Sequence, residues 1–229
     1  MSANLESLRG FAARRWQHIL RQFDDPDALR QRLDYQTYIL AAAGLASSLL
    51  LGFADLATRG SIEARREEDM QATLEQVLPS SLHDNVLLKD VKTIVEPADS
   101  PTAATPVYIA RKQGEVTAVA FKFIASGGYS GPITLMLGVD REGAVLGVRV
   151  VAHAETPGLG DKIERARSDW ILSFDRRSLD NTTANRWRVK KDGGDFDQFA
   201  GATITPRAVV NGVASGLKFF QRHKDELLN

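Results

Sequence analysis

The sequence predicts an α+β protein, in which one N-terminal transmembrane helix is followed by an extracytoplasmic domain with an antiparallel sheet and flanking helices. Three observations predict this class. An uncharged apolar run lies near the N-terminus, two strand–turn–strand patterns occupy the middle of the chain, and an amphipathic helical pattern ends it. Strand pairs mixed with helices are typical of α+β domains.

The transmembrane prediction rests on residues 38–54, YILAAAGLASSLLLGFA, which contain no charged side chain. With Thr37 the run has 18 residues. As a helix rising about 1.5 Å per residue it would cover roughly 27 Å, close to the thickness of the hydrocarbon core. A buried core helix is the alternative. A signal peptide is disfavoured because a long segment precedes the run and no small-residue cleavage pattern follows it.

The sequence predicts four segments. They are a cytoplasmic N-terminal tail (1–36), the transmembrane helix (37–57), a stalk and connecting helix (58–96) and a main domain (97–229). Three arginines lie within about 20 residues of the run on each side, so local charge does not set the orientation. A short tail is easily retained, whereas a long domain translocates regardless of its charge. We therefore expect the main domain outside the cytoplasm.

Composition excludes several classes of function. The chain has no cysteine, which excludes disulfides, thiolate catalysis and cysteine-ligated zinc or iron–sulfur sites. Lys+Arg and Asp+Glu are both 29, which disfavours a nucleic-acid-binding protein. The four histidines are scattered, with no pair at the spacing of helical metal ligands, and we predict no metal site.

Alternation of apolar residues predicts two hairpins. The first is VYIARKQGEVTAVAFKF, residues 107–123, with its turn near Lys112–Glu115. The second spans residues 128–151 and turns at DREG. The side chains expected to alternate in the second hairpin are Ile133, Leu135, Leu137 and Val139 on one strand and Leu146, Val148 and Val150 on the other.

Helical patterns flank the predicted sheet. Residues 55–78 have Ile62, Met70, Leu74 and Leu78 on one side, and a loop is predicted at 97–106. Residues 161–174, DKIERARSDWILSF, are predicted to be helical. The last helix is expected to begin with Thr205 as its N-cap and Pro206 at its first position. Its predicted buried stripe is Val209, Val213, Leu217 and Phe220.

The stretch HAETPGLGDK, residues 153–162, follows a predicted strand. Its glycines can bring backbone N–H groups close to a ligand, although an ordinary turn at a strand end has the same pattern. His153 and Glu155 fit an acid–base pair and a polar strand end equally well. Residues 125–133, ASGGYSGPI, are glycine-rich but lack the spacing of a phosphate-binding loop.

The stretch GATITP, residues 201–206, combines small residues with a helix start. Gly201 and Ala202 leave Thr203 sterically open, and the N–H groups of a helix N-terminus stabilise a phosphate. Thr205 is explained as a helix cap, but Thr203 is not. The residues alone leave two interpretations of Thr203, an anion or phosphate site and a simple part of the helix start.

The segment DQFAGAT, residues 197–203, resembles the flavinylation motif Asp-x-x-(Ser/Thr)-Gly-Ala-Thr, with Ala200 where that motif usually has serine or threonine. Together with HAETPGLGDKI, GYSGPI and one N-terminal span, it makes the chain similar to the G subunit of Rnf (Rsx) electron-transport complexes. The C subunit of the sodium-pumping NADH:quinone oxidoreductase is a more distant likeness. The resemblance covers nearly all of the chain from the span to the last helix.

This resemblance implies a covalent flavin. Thr203 would be esterified by the phosphate of FMN, which a dedicated flavin transferase attaches. Asp197, Gly201 and Ala202 would be recognised by that transferase. The residues implied to line a flavin-facing loop are Glu155, Thr156, Leu159 and Gly160.

The resemblance also implies the function. The chain would be a single-pass protein of the bacterial inner membrane with a periplasmic FMN domain, and its partners would be the other membrane and iron–sulfur subunits of the complex. Electrons exchanged between ferredoxin and NAD would pass through the FMN, coupled to ion movement by other subunits. We expect no catalytic acid, base or nucleophile. A related implied role is to keep a redox-sensing transcription factor reduced.

Three alternatives remain at this point. The chain could be a protein like the C subunit of the quinone oxidoreductase, or a flavinylated membrane regulator. The alternative of another class is a membrane-tethered adaptor without a cofactor, in which Thr203 would be only a turn residue.

Overall fold

Residues 33–95 and 104–228 are described by the computed structural model, which divides into two units between Ala64 and Arg65. Most of the predicted N-terminal tail and most of the predicted loop at 97–106 lie outside the described residues.

One uninterrupted helix, α1 (Leu33–Val77), contains the predicted span and the first half of the predicted stalk segment, whose remaining described residues form two short 3₁₀ helices and a strand. Its apolar side chains between Tyr38 and Leu56 are exposed, and none of its most apolar 18-residue stretch is buried. Within the described part of the chain it is the one helix long and apolar enough to cross a membrane. Both its length and its uncovered apolar surface meet the requirements of a span.

Five antiparallel strands form a simple meander in which each strand pairs with the next. They are β1 (Val91–Ile94), β2 (Thr105–Lys112), β3 (Glu115–Ala125), β4 (Ile133–Asp140) and β5 (Val145–Ala152). Both predicted hairpins are confirmed. The β2–β3 turn has two residues, Gln113 and Gly114, with φ values of 55° and 85°. Left-handed values at both positions are characteristic of the hairpin turn that matches strand twist.

The second hairpin departs from simple alternation at β5. The β4–β5 register shifts between Gly138, which pairs with Gly147, and Val139, which pairs with Val145. Leu146 is therefore the extra residue of a bulge, and it packs on the opposite face from Val148. The expectation that Leu146, Val148 and Val150 share one face is wrong for Leu146.

Large apolar side chains cover one face of the sheet and pack against the C-terminal helix, α2 (Ile204–Leu228). The predicted stripe of this helix is confirmed, since all four of its members are buried. On the sheet side, Phe121, Leu135 and Leu137 are almost inaccessible to solvent. This layer is the main core, and it fixes where the N-terminus of α2 lies relative to the strand ends.

Small residues line the opposite face of the sheet, where the last turns of α1 pack. Ala118, Ala120 and Gly138 lie here, together with Leu74 and Val77 from the helix. A β-carbon at Gly138 would lie 2.2 Å from the carbonyl oxygen of Val77. Because that separation is far shorter than van der Waals contact, the absence of a side chain is what admits the end of the helix.

The helix predicted at residues 161–174 is wrong. Two short 3₁₀ helices, Asp161–Ile163 and Asp169–Phe174, replace it. Ser168 between them is extended, and its side chain accepts a hydrogen bond from the Trp170 N–H at 3.1 Å. Serine competes in this way with helical backbone bonding. The indole of Trp170 also donates to the Asp197 carbonyl at 2.7 Å, which ties the segment to the chain just before α2.

Candidate functional site

A pocket of about 670 Å³ opens where four segments meet, and its volume is typical of small-molecule sites. The segments are the loop after β3, the loop after β5, the turn at Lys190–Asp192 and the start of α2 with the residues just before it. The pocket is lined by Tyr129, Glu155, Thr156, Leu159, Gly160, Lys191, Gly201, Ala202, Thr203, Ile204 and Thr205.

The fold brings two distant sequence motifs together in this pocket. Seven of the eight residues that the sequence singled out are among its lining: Glu155, Thr156, Leu159, Gly160, Gly201, Ala202 and Thr203. The exception is Asp197, which does not line it. The strand-end loop and the helix start are therefore two walls of one cavity, although more than 40 residues separate them in the chain.

Thr203 is the residue that immediately precedes α2. Its carbonyl accepts the first helical hydrogen bond, from the Arg207 N–H at 3.2 Å, so Thr203 is at the N-cap position. Its side chain is half-buried, and its hydroxyl has no hydrogen-bond partner among the described residues. Thr203 thus lines a cavity at the positive end of a helix, and its hydroxyl does not cap that helix.

The prediction that Thr205 caps the helix is wrong. Thr205 lies inside the first turn and is buried, and its hydroxyl donates to Oε2 of Glu155 at 2.5 Å. Pro206 is the third helical residue rather than the first. Its missing N–H is still tolerated there, because the N–H groups of the first turn have no partner within the helix.

Gly201 gives the chain its turn before Thr203. Its φ of 79° lies in the left-handed region, which favours glycine. The Ala202 N–H then donates to the Phe199 carbonyl at 3.1 Å, closing the turn. This backbone requirement is independent of any ligand and explains the glycine by itself.

Glu155 is buried, with 5% of its surface exposed, and its carboxylate joins three of these segments. Oε1 accepts from the Ser130 N–H at 3.1 Å, while Oε2 accepts from Thr205. A β-carbon at Gly128 would lie 2.8 Å from Oε1, and one at Gly160 would lie 2.9 Å from Oε2. The two glycines therefore allow both loops to close on this carboxylate.

His153 does not form an acid–base pair with the carboxylate of Glu155. Its Nε2 lies 2.7 Å from Oε1 of Glu164, and its Nδ1 accepts from the Glu155 backbone N–H at 3.0 Å. Through these two hydrogen bonds the imidazole helps to hold the loop after β5 in place.

Asp197 is on the surface beside the pocket. Its carboxylate pairs with Lys190 Nζ at 2.7 Å, and its side chain is 67% exposed. The position leaves the carboxylate accessible to another molecule, while its backbone is held by Trp170.

Four residues that line the pocket are not among the site residues that the sequence predicts: Tyr129, Lys191, Ile204 and Thr205, the last of which is expected only as a helix cap. Tyr129, Leu159 and Ile204 are exposed and form an apolar rim. The motif GYSGPI contained Tyr129, but Lys191 lies in a charged run, KKDGGD, whose pattern indicates only an exposed turn.

Lys191 and Glu155 give the pocket opposite charges. Lys191 is exposed and forms no ion pair with the carboxylates in the described part of the chain, whereas Lys190 is paired with Asp197. Next to Lys191, Asp192 forms a two-point pair with Arg207, at 2.6 and 2.9 Å. This hydrogen bonding from Arg207 holds the pKa of the Asp192 carboxyl below its usual range. The pair joins the Lys190–Asp192 turn to the first turns of α2.

Comparisons with known proteins show the family to which the chain belongs. Residues 128–218 match the family model described as an FMN-binding domain, and every residue that lines the pocket lies within that match. Three relatives are named as the G subunit of an ion-translocating oxidoreductase complex. The one from Cereibacter sphaeroides is 50% identical over 190 residues, covering 83% of this chain and 85% of the relative.

The Stutzerimonas stutzeri relative is 49% identical over 195 residues, with 84% of this chain and 83% of the relative covered. The Vibrio vulnificus relative is 42% identical over 190 residues, with 83% and 90% covered. The chain belongs to this G-subunit family. The resemblance found in the sequence is thereby confirmed.

Proposed function

We propose that this chain is the flavin-carrying electron-transfer subunit of a membrane-bound, ion-translocating oxidoreductase complex, with FMN attached through its phosphate to the hydroxyl of Thr203. The observation that carries the proposal is the position of that hydroxyl. It is unpartnered among the described residues, it belongs to a residue that lines a pocket of about 670 Å³, and it lies at a helix N-terminus. The match to an FMN-binding domain and the names of the relatives support the same conclusion.

The residues present fit FMN. The N–H groups at the start of α2 would stabilise the negative charge that a phosphodiester on Thr203 retains. The apolar rim of Tyr129, Leu159 and Ile204 offers surface for an aromatic ring system. When bound, FMN supplies one- and two-electron redox chemistry, and the protein provides its position and electrostatic environment. No side chain is required as an acid, base or nucleophile in this function.

A covalent link suits a domain outside the cytoplasm, since a cofactor lost there would not readily be replaced. We assign the domain containing the pocket to the periplasm and α1 to the bacterial inner membrane. Its partners would be the other membrane and iron–sulfur subunits of the complex. A flavin transferase would attach the FMN, and exposed Asp197 with Gly201 and Ala202 would be its recognition elements.

Intact mass of the full chain, co-expressed with a flavin transferase, tests the attachment. We expect the wild type to gain the mass of one FMN minus one water. Thr203→Val removes the hydroxyl at nearly constant shape and should abolish the gain completely, whereas Thr203→Ser keeps a hydroxyl and should retain it. Peptide mapping of the wild type should place the added mass on the segment containing Thr203.

Other outcomes separate the alternatives. Flavin that copurifies with the native protein but is lost on denaturation would mean binding without a covalent link. A colourless wild type with unchanged mass, in the presence of a transferase active on another substrate, would favour the cofactor-free adaptor. A gain that persists in Thr203→Val would place the attachment on another residue.

A further inference from the structure

Both side-chain oxygens of Glu155 form hydrogen bonds, Oε1 with the Ser130 N–H and Oε2 with the Thr205 hydroxyl. The side chain is also almost completely buried, so these two bonds and the surrounding atoms hold the carboxyl group in one position.

The position of this acidic side chain matters because Glu155 lines the same pocket as Thr203. Glu155 contacts the loop after β3 through Ser130 and the first turn of α2 through Thr205, so it fixes the positions of these two pocket walls relative to each other. A carboxylate at this position also offsets part of the positive electrostatic potential at the N-terminus of α2. Lys191 lines the pocket with the opposite charge.

We infer that Glu155 is a positioning residue that lowers the reduction potential of the bound flavin, and that Lys191 opposes it. The inference rests on the proposed function, because it requires a flavin in this pocket. Adding electrons to the flavin increases negative charge, which a nearby carboxylate disfavours and a nearby ammonium favours. The two side chains would thus set the potential in opposite directions without taking part in attachment.

Redox titration of the flavin-loaded full chain, followed by flavin absorbance, tests the inference. Glu155→Gln removes the charge but keeps the shape and an acceptor oxygen, and we expect a higher midpoint potential than in the wild type. Lys191→Met removes the positive charge and should lower the midpoint. The control is Glu164→Gln, which removes a carboxylate that bonds His153 and does not line the pocket. It should leave the midpoint unchanged.

The outcomes are decisive for each residue. A loaded Glu155→Gln protein with an unchanged midpoint would overturn the inference. A Glu155→Gln protein that unfolds cooperatively but is never loaded would also overturn it, because Glu155 would then belong to the attachment step. If Glu155→Gln does not fold, the exposed Lys191→Met variant decides, and an unchanged midpoint there rejects the charge effect. A wild type that carries no flavin would instead refute the proposed function.

Discussion

Thr203 and Thr205 show how two residues in one short stretch acquire different roles. Thr203 precedes α2, so its side chain is open to the pocket, whereas Thr205 lies in the first turn and is turned into the interior. A threonine–proline pair is a sound signal for a helix start. The exact cap, however, depends on which hydroxyl has a stronger partner elsewhere, and that partner is Glu155, 50 residues away in the chain.

The Thr205–Glu155 hydrogen bond should contribute measurably to stability. Thr205→Val keeps the shape but leaves the buried carboxylate with one partner fewer, so we expect a loss of about 1–3 kcal/mol in the free energy of unfolding. Thr205→Ser keeps the hydroxyl and should lose less. Denaturant unfolding of the flavin-free full chain measures both. An unchanged free energy of unfolding in Thr205→Val would contradict a stabilising contribution from the hydrogen bond.

At the scale of elements, the packing of α1 on the sheet depends on small residues. The carbonyl of Val77 approaches Gly138 so closely that no β-carbon fits, and Gln76 and Val77 approach Gly147 within 3.2 Å of a built β-carbon. A backbone carbonyl cannot move aside as a flexible side chain can. The last turns of α1 are therefore held by shape as well as by the apolar contacts of Leu74 and Val77.

Gly138→Ala should weaken this packing. The added methyl group forces the strand and the end of α1 apart, and we expect a loss of about 1–3 kcal/mol in the free energy of unfolding. Gly60→Ala is the matched control, because a β-carbon there meets nothing within 4 Å. It should leave the thermal midpoint of the sheet-containing unit unchanged. Equal midpoints for Gly138→Ala and the wild type would contradict the close packing.

Local signals explain which elements could be predicted. Alternating apolar residues around a short turn identified β2 to β5, and apolar spacing identified the buried stripe of α2. Apolar spacing alone could not predict residues 161–174, because the Ser168 side chain accepts the Trp170 N–H and the Trp170 indole is held by the distant Asp197 carbonyl. Lys191 was missed for the same reason, since its place on the pocket is set by the tertiary fold.

At the scale of the whole molecule, the proposed function depends on the orientation of α1 in the membrane, which must place the pocket outside the cytoplasm. Arginines do not decide this, because three lie within about 20 residues of the apolar run on each side. The argument for a periplasmic domain rests on length. A short tail is retained more easily than it is translocated, and a long domain can cross regardless of its charge.

The absence of cysteine makes this orientation directly testable, since any introduced thiol is unique in the chain. Glu142→Cys places a thiol in the exposed turn between β4 and β5, and Ser7→Cys places one in the N-terminal tail. With a membrane-impermeant maleimide on intact spheroplasts, we expect labelling of the Glu142→Cys protein at once and of the Ser7→Cys protein only after lysis. The reverse pattern would place the pocket in the cytoplasm. A cytoplasmic pocket would also remove the reason given for a covalent link, namely that FMN lost outside the cytoplasm is not readily replaced. The mass test at Thr203 does not depend on orientation and would remain valid.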